Sequence, residues 1–374
     1  MLTSCTIPDK SQKSKKPGGK EISAVWISYN ELSMKDSDGG DEASFREKIR
    51  EMFDNCAKLG INTAFVQVRP FCDAMYPSDI FPWSAYLTGY QGDPIYYDPL
   101  EIMVEEAHER GIGLHAWINP FRVSFDTDLD KLSKKNPAKI LLSDEKTKKR
   151  VVTADGGLYL CPASTDNHKL IIDGVREIIK NYDVDGIHID DYFYPSQNKK
   201  VDESFYEDYL NGGGTLDLDS WRCENVNTLV SGIYSAVKEN SKRKILSISP
   251  GGDIEKNLSV YYADVERWGN EDGFCDVLIP QIYYGFKNES KPFEKCAIRW
   301  RNAVKNKNVR LCAGLALYKR GKEDKFAGES GKDEWKEDGI IARQIETLKE
   351  QNYDGFCLYS LQFVKFNEKL YSDG

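Results

Sequence analysis

The sequence DGIHIDDYFYP, which runs from Asp185 to Pro195, places a strand, two acids and an aromatic cluster side by side. Its apolar half predicts a strand over residues 185–190 that leads directly into Asp190 and Asp191. Carboxylates are costly to bury without a partner, so acids at the end of a core strand need a reason. The stretch therefore indicates a strand that delivers acidic side chains to a functional site.

An alternation of apolar strands and amphipathic helices extends through the chain on both sides of this stretch. Strand-like runs are predicted over residues 22–29, 63–69, 113–121, 185–190, 245–250, 276–284, 309–318 and 353–363. Helix-like runs are predicted between them, over residues 45–59, 99–110, 166–182, 221–240, 259–268, 293–305 and 340–351. Strands that alternate with helices in this way favour an α/β fold, the (β/α)8 TIM barrel. The alternative, a doubly wound open sheet, is disfavoured because no GxGxxG or GxxxxGK turn follows the first strand.

Long connections follow several predicted strands, whereas the connections that lead into strands are short. The long segments cover residues 71–98, 123–165, 193–220 and 319–339. In a barrel, loops of this kind build the C-terminal face, where active sites lie. We expect one catalytic barrel domain over residues 21–374. A flexible polar tether, rich in Lys, Ser, Pro and Gly, is expected before it at residues 1–20.

Polar side chains are predicted at the inward-facing ends of the barrel strands. Alternation along each strand directs Asp190 inward on one strand, Arg69 on a second and Asn119 on a third. Together with nearby aromatic residues, the expected substrate-binding side chains are Arg69, Trp83, Trp117, Asn119, His188, Tyr192, Gln281 and Tyr283. A purely structural interior would be filled by Val, Ile and Leu. The polar ends therefore favour a binding site over the alternative, a buried plug such as an Arg69–Asp190 ion pair.

Acids surrounded by aromatic side chains suggest a carbohydrate cleft, because aromatic faces pack against sugar rings. A glycosidase uses one carboxylic acid to protonate the leaving oxygen and usually a second carboxylate as nucleophile or base. Asp190, pushed into the barrel mouth, is the expected general acid. Asp191 either turns into the same cleft or holds a loop, because neighbours on one strand ordinarily point apart. The second carboxylate is therefore Asp191, Asp73 after the second strand, or Asp253 after the fifth.

Composition and charge narrow the possible partners and cofactors. The 374-residue chain has a net charge of −9, which gives no support to nucleic-acid binding. No apolar run reaches the ~20 residues that a membrane-spanning helix needs. Nine cysteines without a CxxC pair, and four histidines without HxxH spacing, argue against a metal site, and no cofactor is expected. A divalent ion at Asp190 and Asp191 is the least favoured mechanism.

The N-terminus carries a weak export signal. The residues MLTSC resemble the end of a bacterial lipoprotein signal, with Cys5 as the acylated residue. The basic polar segment that follows fits a tether to a membrane surface, whereas many unpaired cysteines favour a cytoplasm. We expect an extracytoplasmic protein, periplasmic or an outer-membrane lipoprotein, whose only membrane contact is a lipid anchor at Cys5. The oligomeric state stays open.

Three long blocks of the chain resemble glycoside-hydrolase-like family 10. They are QVRPFCDAMYPSDIFPWSAYLTGYQG, DPLEIMVEEAHERGIGLHAWINPFRV and YDVDGIHIDDYFYP, and the similarity runs from about Glu21 to Phe363. The resemblance implies a barrel, frequent export as a lipoprotein, and glycoside hydrolase activity on a bacterial or dietary polysaccharide. Bacterial members of this family resemble hydrolases of peptidoglycan glycan strands stripped of their peptides. Peptidoglycan glycan strands are therefore the substrate that the resemblance implies above others.

A second comparison leaves a non-catalytic function open. Chitinase-type barrels carry a DGxDxDxE motif on their fourth strand, and its first and third aspartates match Asp185 and Asp190 here. His188 replaces the aspartate between them, and Tyr192 stands where the acid glutamate would be. The chain cannot use that motif unaltered. A glycan-binding barrel without turnover is therefore the alternative to the hydrolase.

Overall fold

The computed structural model describes residues 20–37, 40–239 and 241–364, which form a closed parallel barrel surrounded by helices. The strands are β1 Ile22–Ile27, β2 Thr63–Arg69, β3 Gly113–Ile118, β4 Arg122–Ser124, β5 Val151–Ala154, β6 Gly157–Leu160, β7 Gly186–Ile189, β8 Ile245–Ile248, β9 Val277–Leu278, β10 Arg310–Leu315 and β11 Gly355–Leu358. The barrel order is β1-β11-β10-β9-β8-β7-β3-β2, while β4, β6 and β5 form a separate sheet. The closed barrel confirms the predicted (β/α)8 fold and rules out the open doubly wound sheet. The predicted tether, apart from Lys20, lies outside the described residues, as does Cys5.

The helices surround the barrel and connect each barrel strand to the next along the chain. They are α1 Tyr29–Leu32, α2 Glu42–Lys58, α3 Ala85–Thr88, α4 Pro99–His108, α5 Pro137–Leu142, α6 Thr165–Asn181, α7 Glu203–Asn211, α8 Leu218–Glu239, α9 Ile254–Tyr261, α10 Val265–Trp268, α11 Phe293–Ala303 and α12 Ile340–Glu350. Asp41 caps α2 by accepting the Ser44 N–H at 2.8 Å, and Asp98 caps α4 just before Pro99. Such side chains satisfy backbone donors that the first turn of a helix leaves without partners. Among the helices in the described part of the chain, none has both the length and the apolar character needed to cross a bilayer.

Three predicted elements depart furthest from the structure in extent. The predicted strand 276–284 is a strand only at β9, because Pro280 has no backbone N–H to continue the ladder. The predicted helix 259–268 is instead α9 and α10, separated at Tyr262, whose φ of +53° is left-handed. The predicted strand 353–363 ends with β11, and a short 3-10 turn follows. The chain beyond β9 and β11 is therefore irregular where it enters the barrel mouth.

The long connection between β3 and α6 contains the separate sheet, which the sequence pattern did not predict. β4 pairs antiparallel with β6, so that Arg122 lies opposite Tyr159, and β6 pairs in turn with β5. The chain passes from β5 to β6 through Asp155 and Gly156, both of which have positive φ, as tight hairpin turns require. Because the sheet follows β3, it forms part of the C-terminal face of the barrel.

The apolar core has two parts, one inside the barrel and one between the barrel and the helices. Trp26, Phe65 and Trp117 pack together inside the barrel. Ala64 and Val66, which alternate with Phe65 along β2, belong to the larger outer part. Side chains that alternate between the two sides of each strand therefore fill both layers.

A buried ion pair holds the loop that follows β7. Arg222 on α8 donates two hydrogen bonds to the Asp202 carboxylate, from Nε to Oδ2 at 2.7 Å and from Nη2 to Oδ1 at 2.6 Å. Tyr194 donates its hydroxyl to the same carboxylate, and Tyr262 accepts from Arg222 Nη1 at 2.9 Å. Both charged side chains are at most 1% exposed. Since hydrogen bonds satisfy both charges, the pair anchors this loop to α8.

Asp202→Asn is expected to lower the free energy of unfolding by about 3–5 kcal/mol, because it leaves the Arg222 charge buried without its partner. Urea unfolding at neutral pH measures this change. The matched control is Asp208→Asn on α7, whose ion pair with Lys149 is exposed and should contribute less than about 1 kcal/mol. Equal losses in the two variants would contradict the anchoring role of the buried pair.

Candidate active site

A cavity of about 220 Å³, which we call the main cavity, lies at the C-terminal mouth of the barrel. Its lining residues are Trp26, Trp117, Asp190, Asp191, Tyr192, Ser249, Gln281, Tyr283, Tyr318 and Tyr359. Two carboxyl groups and several aromatic rings therefore share one small space. A concave site with a few convergent polar groups among aromatic side chains is typical of small-ligand binding.

Asp190 directly follows β7 and is only 4% exposed. Its Oδ2 accepts hydrogen bonds from Trp117 Nε1 at 3.1 Å and from Asn119 Nδ2 at 2.9 Å. These donors come from β3 and the segment just after it, because β3 and β7 are neighbours in the barrel. Among the described residues, Oδ1 has no hydrogen-bond partner. Burial and the charge of Asp191 together raise the pKa of Asp190 to about 7, against the opposing charge of Arg122.

Asp191 lines the main cavity as well, although neighbours on one strand ordinarily point apart. β7 ends at Ile189, so the backbone beyond it no longer alternates between two faces. Burial raises the pKa of Asp191, and the nearby side chain of Gln281 opposes that rise. The two acids therefore share a site of low polarity, where the protonated form of a carboxyl group is favoured.

A second cavity of about 180 Å³, the side cavity, adjoins the main cavity. Asp191, Gln281 and Tyr283 line both cavities, and Asp253 lines only the second. Asp253 caps α9 and forms an ion pair with Lys291. Burial alone would raise the pKa of Asp253. The ion pair with Lys291 and the backbone hydrogen bond at the start of α9 outweigh this effect, and the pKa is lowered. Asp253 thus supplies an ionised carboxylate next to the pair of raised pKa.

An uncharged hydrogen-bonded group forms the floor below the acids. Trp26 Nε1 donates to His188 Nε2 at 2.9 Å, which assigns the His188 proton to Nδ1, 2.8 Å from Ser247 Oγ. His115 Nδ1 lies 3.3 Å from the same hydroxyl. Burial lowers the pKa of His188 well below its usual range and that of His115 to about 4. Both histidines are therefore neutral at pH 7, and His188 lies beneath the cavity instead of lining it.

Aromatic rings that the sequence analysis did not select complete the lining, together with Ser249. Tyr283 meets Tyr318 edge-on, with ring centroids 5.8 Å apart, and Trp26 meets Tyr359 edge-on at 5.9 Å. Tyr318 and Tyr359 follow the last two barrel strands, and Trp26 lies within the first. The inward alternation applied to β1, β10 and β11 was the signal that could have found them.

Arg69 reaches neither cavity. A bulge near the end of β2 shifts the pairing so that Arg69 lies opposite Ile118. The side chain consequently points to the helix layer, where its guanidinium lies 4.6 Å from the centre of the Phe81 ring. It also fills the space beside Gly174 on α6, where an added Cβ would come within 2.6 Å of Nη1. The expected inward placement of Arg69 is therefore wrong, and so is the alternative of an Arg69–Asp190 ion pair.

Asp73 and Trp83 lie in the loop after β2, and they line neither of the two cavities. Trp83 packs against the outer core, and Asp73 is 1% exposed, with its Oδ2 3.5 Å from Gln91 Nε2. Burial raises the pKa of Asp73 to about 6, and Ser84 and Gln91 oppose the rise. Asn136 Nδ2 donates to Gln91 at 3.0 Å, so these groups tie two loops together. The structure thus gives Asp73 a place in a loop network and not the expected place of a second catalytic carboxylate.

Chemically, the main cavity offers an acid that can release a proton near neutral pH and a second acid beside it. Among the described residues, no group of three or more His, Cys, Asp or Glu side chains has the arrangement of a metal site. The structure brings together at or beside the acids the predicted side chains Trp117, Asn119, His188, Tyr192, Gln281 and Tyr283. Contacts of the lining residues Trp117, Tyr192, Gln281 and Tyr283 with substrate stay predictions, whereas Asn119 and His188 line neither cavity.

A closed parallel barrel with buried acids and aromatic rings at its C-terminal mouth is typical of the glycoside hydrolase type. The chain belongs to the family described as Glycosyl hydrolase-like 10, which it matches over residues 21–329. It is 35% identical over 320 residues to the glycosyl hydrolase YngK of Bacillus subtilis, covering 80% of this chain and 61% of YngK. It is 32% identical over 303 residues to the glycosyl hydrolase DigH of Escherichia coli K12, covering 75% of this chain and 68% of DigH. The family drawn from the sequence blocks is thereby confirmed.

A solved structure shows the same architecture. The glycoside hydrolase domain of PgaB (BpsB) from Bordetella bronchiseptica matches with a TM-score of 0.63, covering 94% of this chain and 97% of that domain. The sequence identity is 13%, so the likeness concerns the fold alone. The chain spans about 61% of the length of YngK.

Asp190→Asn is expected to stabilise the fold in a pH-dependent way. Because the pKa of Asp190 in the folded state is about 7, the folded protein retains a proton that the unfolded chain releases from pH ~4 upward. The carboxyl group therefore opposes folding increasingly as the pH rises through this window, and asparagine removes that effect. We expect equal stabilities near pH 4 and a gain on the order of 2–4 kcal/mol at pH 8, measured by urea unfolding.

Asp253→Asn provides a control of opposite sign. The lowered pKa of Asp253 means that its ionised form favours folding. The variant should therefore lose stability at pH 8, and the loss should fade as the pH falls through the folded pKa. Identical pH trends in the two variants, or a stability difference for Asp190→Asn that does not depend on pH, would contradict the assignment of a buried acid of raised pKa.

Proposed function

We propose that the protein is a glycoside hydrolase that cleaves the glycan strands of peptidoglycan by carboxylate acid–base chemistry in the main cavity. The observation that carries this proposal is Asp190, a buried acid beside a second acid among aromatic rings at the mouth of a barrel. A group whose pKa lies near the working pH is both protonated and able to release its proton. Membership of a glycosyl hydrolase-like family supports the same reaction class.

In the proposed reaction, Asp190 protonates the glycosidic oxygen while the bond from that oxygen to the anomeric carbon breaks. In the neutral acid the proton is assigned to Oδ1, because Oδ2 already accepts hydrogen bonds from Trp117 and Asn119. The electron pair of the broken bond stays with the leaving oxygen. A water molecule supplies the hydroxyl that the anomeric carbon gains. The other proton of that water replaces the proton that Asp190 donated.

Asp191 is proposed to face the positive charge that develops at the anomeric carbon. It lines both cavities, so its carboxyl group can contact a sugar in the main cavity while it borders the side cavity that holds Asp253. The charge of Asp191 contributes to the raised pKa of Asp190, so the pair holds its shared proton on Asp190 and Asp191 carries the negative charge. That charge stabilises the transition state electrostatically. Asp253, kept ionised by Lys291, is the remaining candidate for a second carboxylate, whereas Asp73 lines neither cavity.

The dimensions of the site fit a strand of linked sugars. The main cavity, at about 220 Å³, has room for roughly one sugar ring, and the side cavity adjoins it. The choice of peptidoglycan follows the resemblance of the chain to bacterial members of its family. Peptidoglycan lies outside the cytoplasmic membrane, so the proposal includes an extracytoplasmic location. It also includes a lipid anchor at Cys5, which rests on the resemblance of MLTSC to the end of a lipoprotein signal.

The proposal predicts sugar release from purified peptidoglycan whose stem peptides have been removed. Asp190→Asn should lower kcat by about 10²–10⁴-fold, the usual contribution of a general acid. In the wild type, kcat should fall above pH 7, because Asp190, with its pKa of about 7, then loses the proton that it must donate. Reducing-end formation measures both effects, and Arg176→Gln on the surface of α6 is the control that should keep full activity.

The competing function is a glycan-binding barrel without turnover. The observation that favours it is Tyr192, which stands where a chitinase-type barrel has its acid. Fragments of glycan that bind to the wild type, with no sugar released from any strand preparation, would establish that function and remove the hydrolase. Release that is equal in the wild type and in Asp190→Asn would instead place the acid elsewhere.

A further inference from the structure

A larger cavity, of about 610 Å³, lies apart from the main and side cavities, and we call it the outer cavity. It shares no lining residue with either of them. Its walls come from the start of α6, from α7, from the first turns of α8 and from the chain just before β5. Helices that follow barrel strands begin at the C-terminal face, so the outer cavity lies on the same face as the acids.

The separate sheet lies between the outer cavity and the main cavity. Its β4 edge reaches the main cavity, because the Arg122 guanidinium carbon lies 3.7 Å from the centre of the Tyr192 ring, which lines that cavity. Its β5 edge reaches the outer cavity, because Lys149 and Arg150 directly precede Val151 and line the outer cavity. Neighbouring strands are about 4.8 Å apart, so the sheet is about 10 Å wide from β4 to β5. The two cavities are therefore separate sites on one face.

Aromatic side chains form one wall of the outer cavity. Trp221 and Tyr209 line it with their ring centroids 5.8 Å apart and an angle of 34° between the ring planes. Phe205 lines it as well, and the Lys149 ammonium lies 4.7 Å from the centre of that ring. Phe205 and Tyr209 are both partly exposed. The wall therefore offers flat apolar surface to a ligand, while water reaches the edges of the rings.

The charged side chains of the outer cavity neutralise one another. Lys149 pairs with Asp208 at 3.0 Å, and Arg150 pairs with Asp166 at 3.5 Å. A ligand of either charge would therefore meet a lining that offers no net attraction, whereas an uncharged polar ligand finds both donors and acceptors. Three cationic and three anionic side chains line the cavity, which gives a net charge of zero: Lys146, Lys149, Arg150, Asp166, Asp208 and Glu224.

Hydrogen bonds between the walls keep the outer cavity open without a ligand. Asn167 Nδ2 donates to the Arg150 carbonyl at 2.8 Å, and Arg150 Nε donates to Asn167 Oδ1 at 3.1 Å, which fixes the chain before β5 to α6. The Tyr209 hydroxyl accepts the backbone N–H groups of Thr215 and Leu216, each at 3.0 Å, which fixes the turn after α7. A preformed cavity of this kind loses little conformational freedom when it binds a ligand.

One polar group of the outer cavity lacks a partner. Asn225 on α8 lines the cavity, and among the described residues its buried Nδ2 has no hydrogen-bond acceptor. A buried amide donor without an acceptor costs free energy that a hydrogen bond would recover. The missing acceptor is an oxygen atom that a ligand in the cavity would supply.

We propose that the outer cavity binds uncharged sugar residues of a glycan, away from the bond that is cleaved. The choice of a glycan rests on the proposed function. N-acetylglucosamine, the uncharged sugar of peptidoglycan strands, fits the lining because its amide carbonyl supplies an acceptor for Asn225 and its ring packs on Trp221 and Tyr209. The cavity is nearly three times as large as the main cavity, so it has room for roughly two sugar rings. A strand bound there is held close to the acids, which raises its local concentration at the main cavity.

The test is a titration of the isotope-labelled Asp190→Asn protein with the β-1,4-linked tetramer of N-acetylglucosamine, followed through the indole N–H resonances. Asp190→Asn prevents cleavage during the measurement. Trp221 reports on the outer cavity and Trp117 on the main cavity. Each resonance is assigned by its disappearance in Trp221→Phe or Trp117→Phe. We expect the Trp221 resonance to shift and to saturate with a dissociation constant of its own.

Two variants in the same background test the outer cavity directly. Asn225→Leu keeps the size of the side chain but removes the donor, so it should weaken the Trp221 titration about 3–10-fold, the usual effect of one neutral hydrogen bond. Thr228→Arg fills the cavity from an exposed position of α8 and should abolish the Trp221 shift. Both variants should leave the Trp117 titration unchanged, which also shows that they are folded. The matched control is Asn211→Leu, at an exposed position of α7 outside the cavity, which should keep both titrations.

Two results would overturn the inference. One is a Trp221 resonance that does not shift up to the solubility limit of the tetramer. The other is a Trp221 shift that saturates in parallel with that of Trp117 and persists in Thr228→Arg, because it would then report binding in the main cavity. A shift of Trp221 without a shift of Trp117 supports the outer cavity and counts against the proposed function. The reverse pattern removes the outer cavity and leaves the proposed function in place.

Discussion

Burial of two adjacent acids at the end of β7 is the constraint on which the rest of the site depends. Burial opposes ionisation of both carboxyl groups, because they are removed from water. The protein must therefore supply the hydrogen bonds that water would otherwise donate to them. Trp117 and Asn119 do this for Asp190, and their position follows from the pairing of β3 with β7. The neutral histidines below add no competing charge. A closed barrel makes the arrangement possible, because neighbouring parallel strands end at the same face.

Much of the architecture could be predicted from the sequence, because the signals for strands and helices are local patterns of apolar residues. Each apolar run reports the burial of its own strand, and the alternation of strands with helices then leaves few folds. Asp190, Gln281 and Tyr283 could be located because strand ends meet at one face whatever the details of packing. The direction of the Asp191 side chain could not be predicted, because the sequence does not show that β7 ends at Ile189, immediately before the two acids.

The residues that were misplaced depend on features that alternation does not encode. Arg69 emerges on the other side of β2 because a bulge adds one residue to the count, and no local signal marks it. Asp73 follows its strand as a catalytic acid would, but the loop folds back and covers it. Arg122 escapes the alternation argument altogether, because it lies past the end of β3 on a strand of only three residues. Long-range packing decides all three cases.

The separate sheet of β4, β5 and β6 has a consequence for how such barrels diversify. The acids follow a strand of the closed barrel, in which every strand must pair with two neighbours. Arg122 lies on an insertion between β3 and α6. An insertion can be lengthened or exchanged without breaking the closed ring of strands. The pair of acids and the wall of the cavity beside Tyr192 therefore stand on segments that can change independently. A different insertion at this point would alter that wall while the pair of acids stays in place.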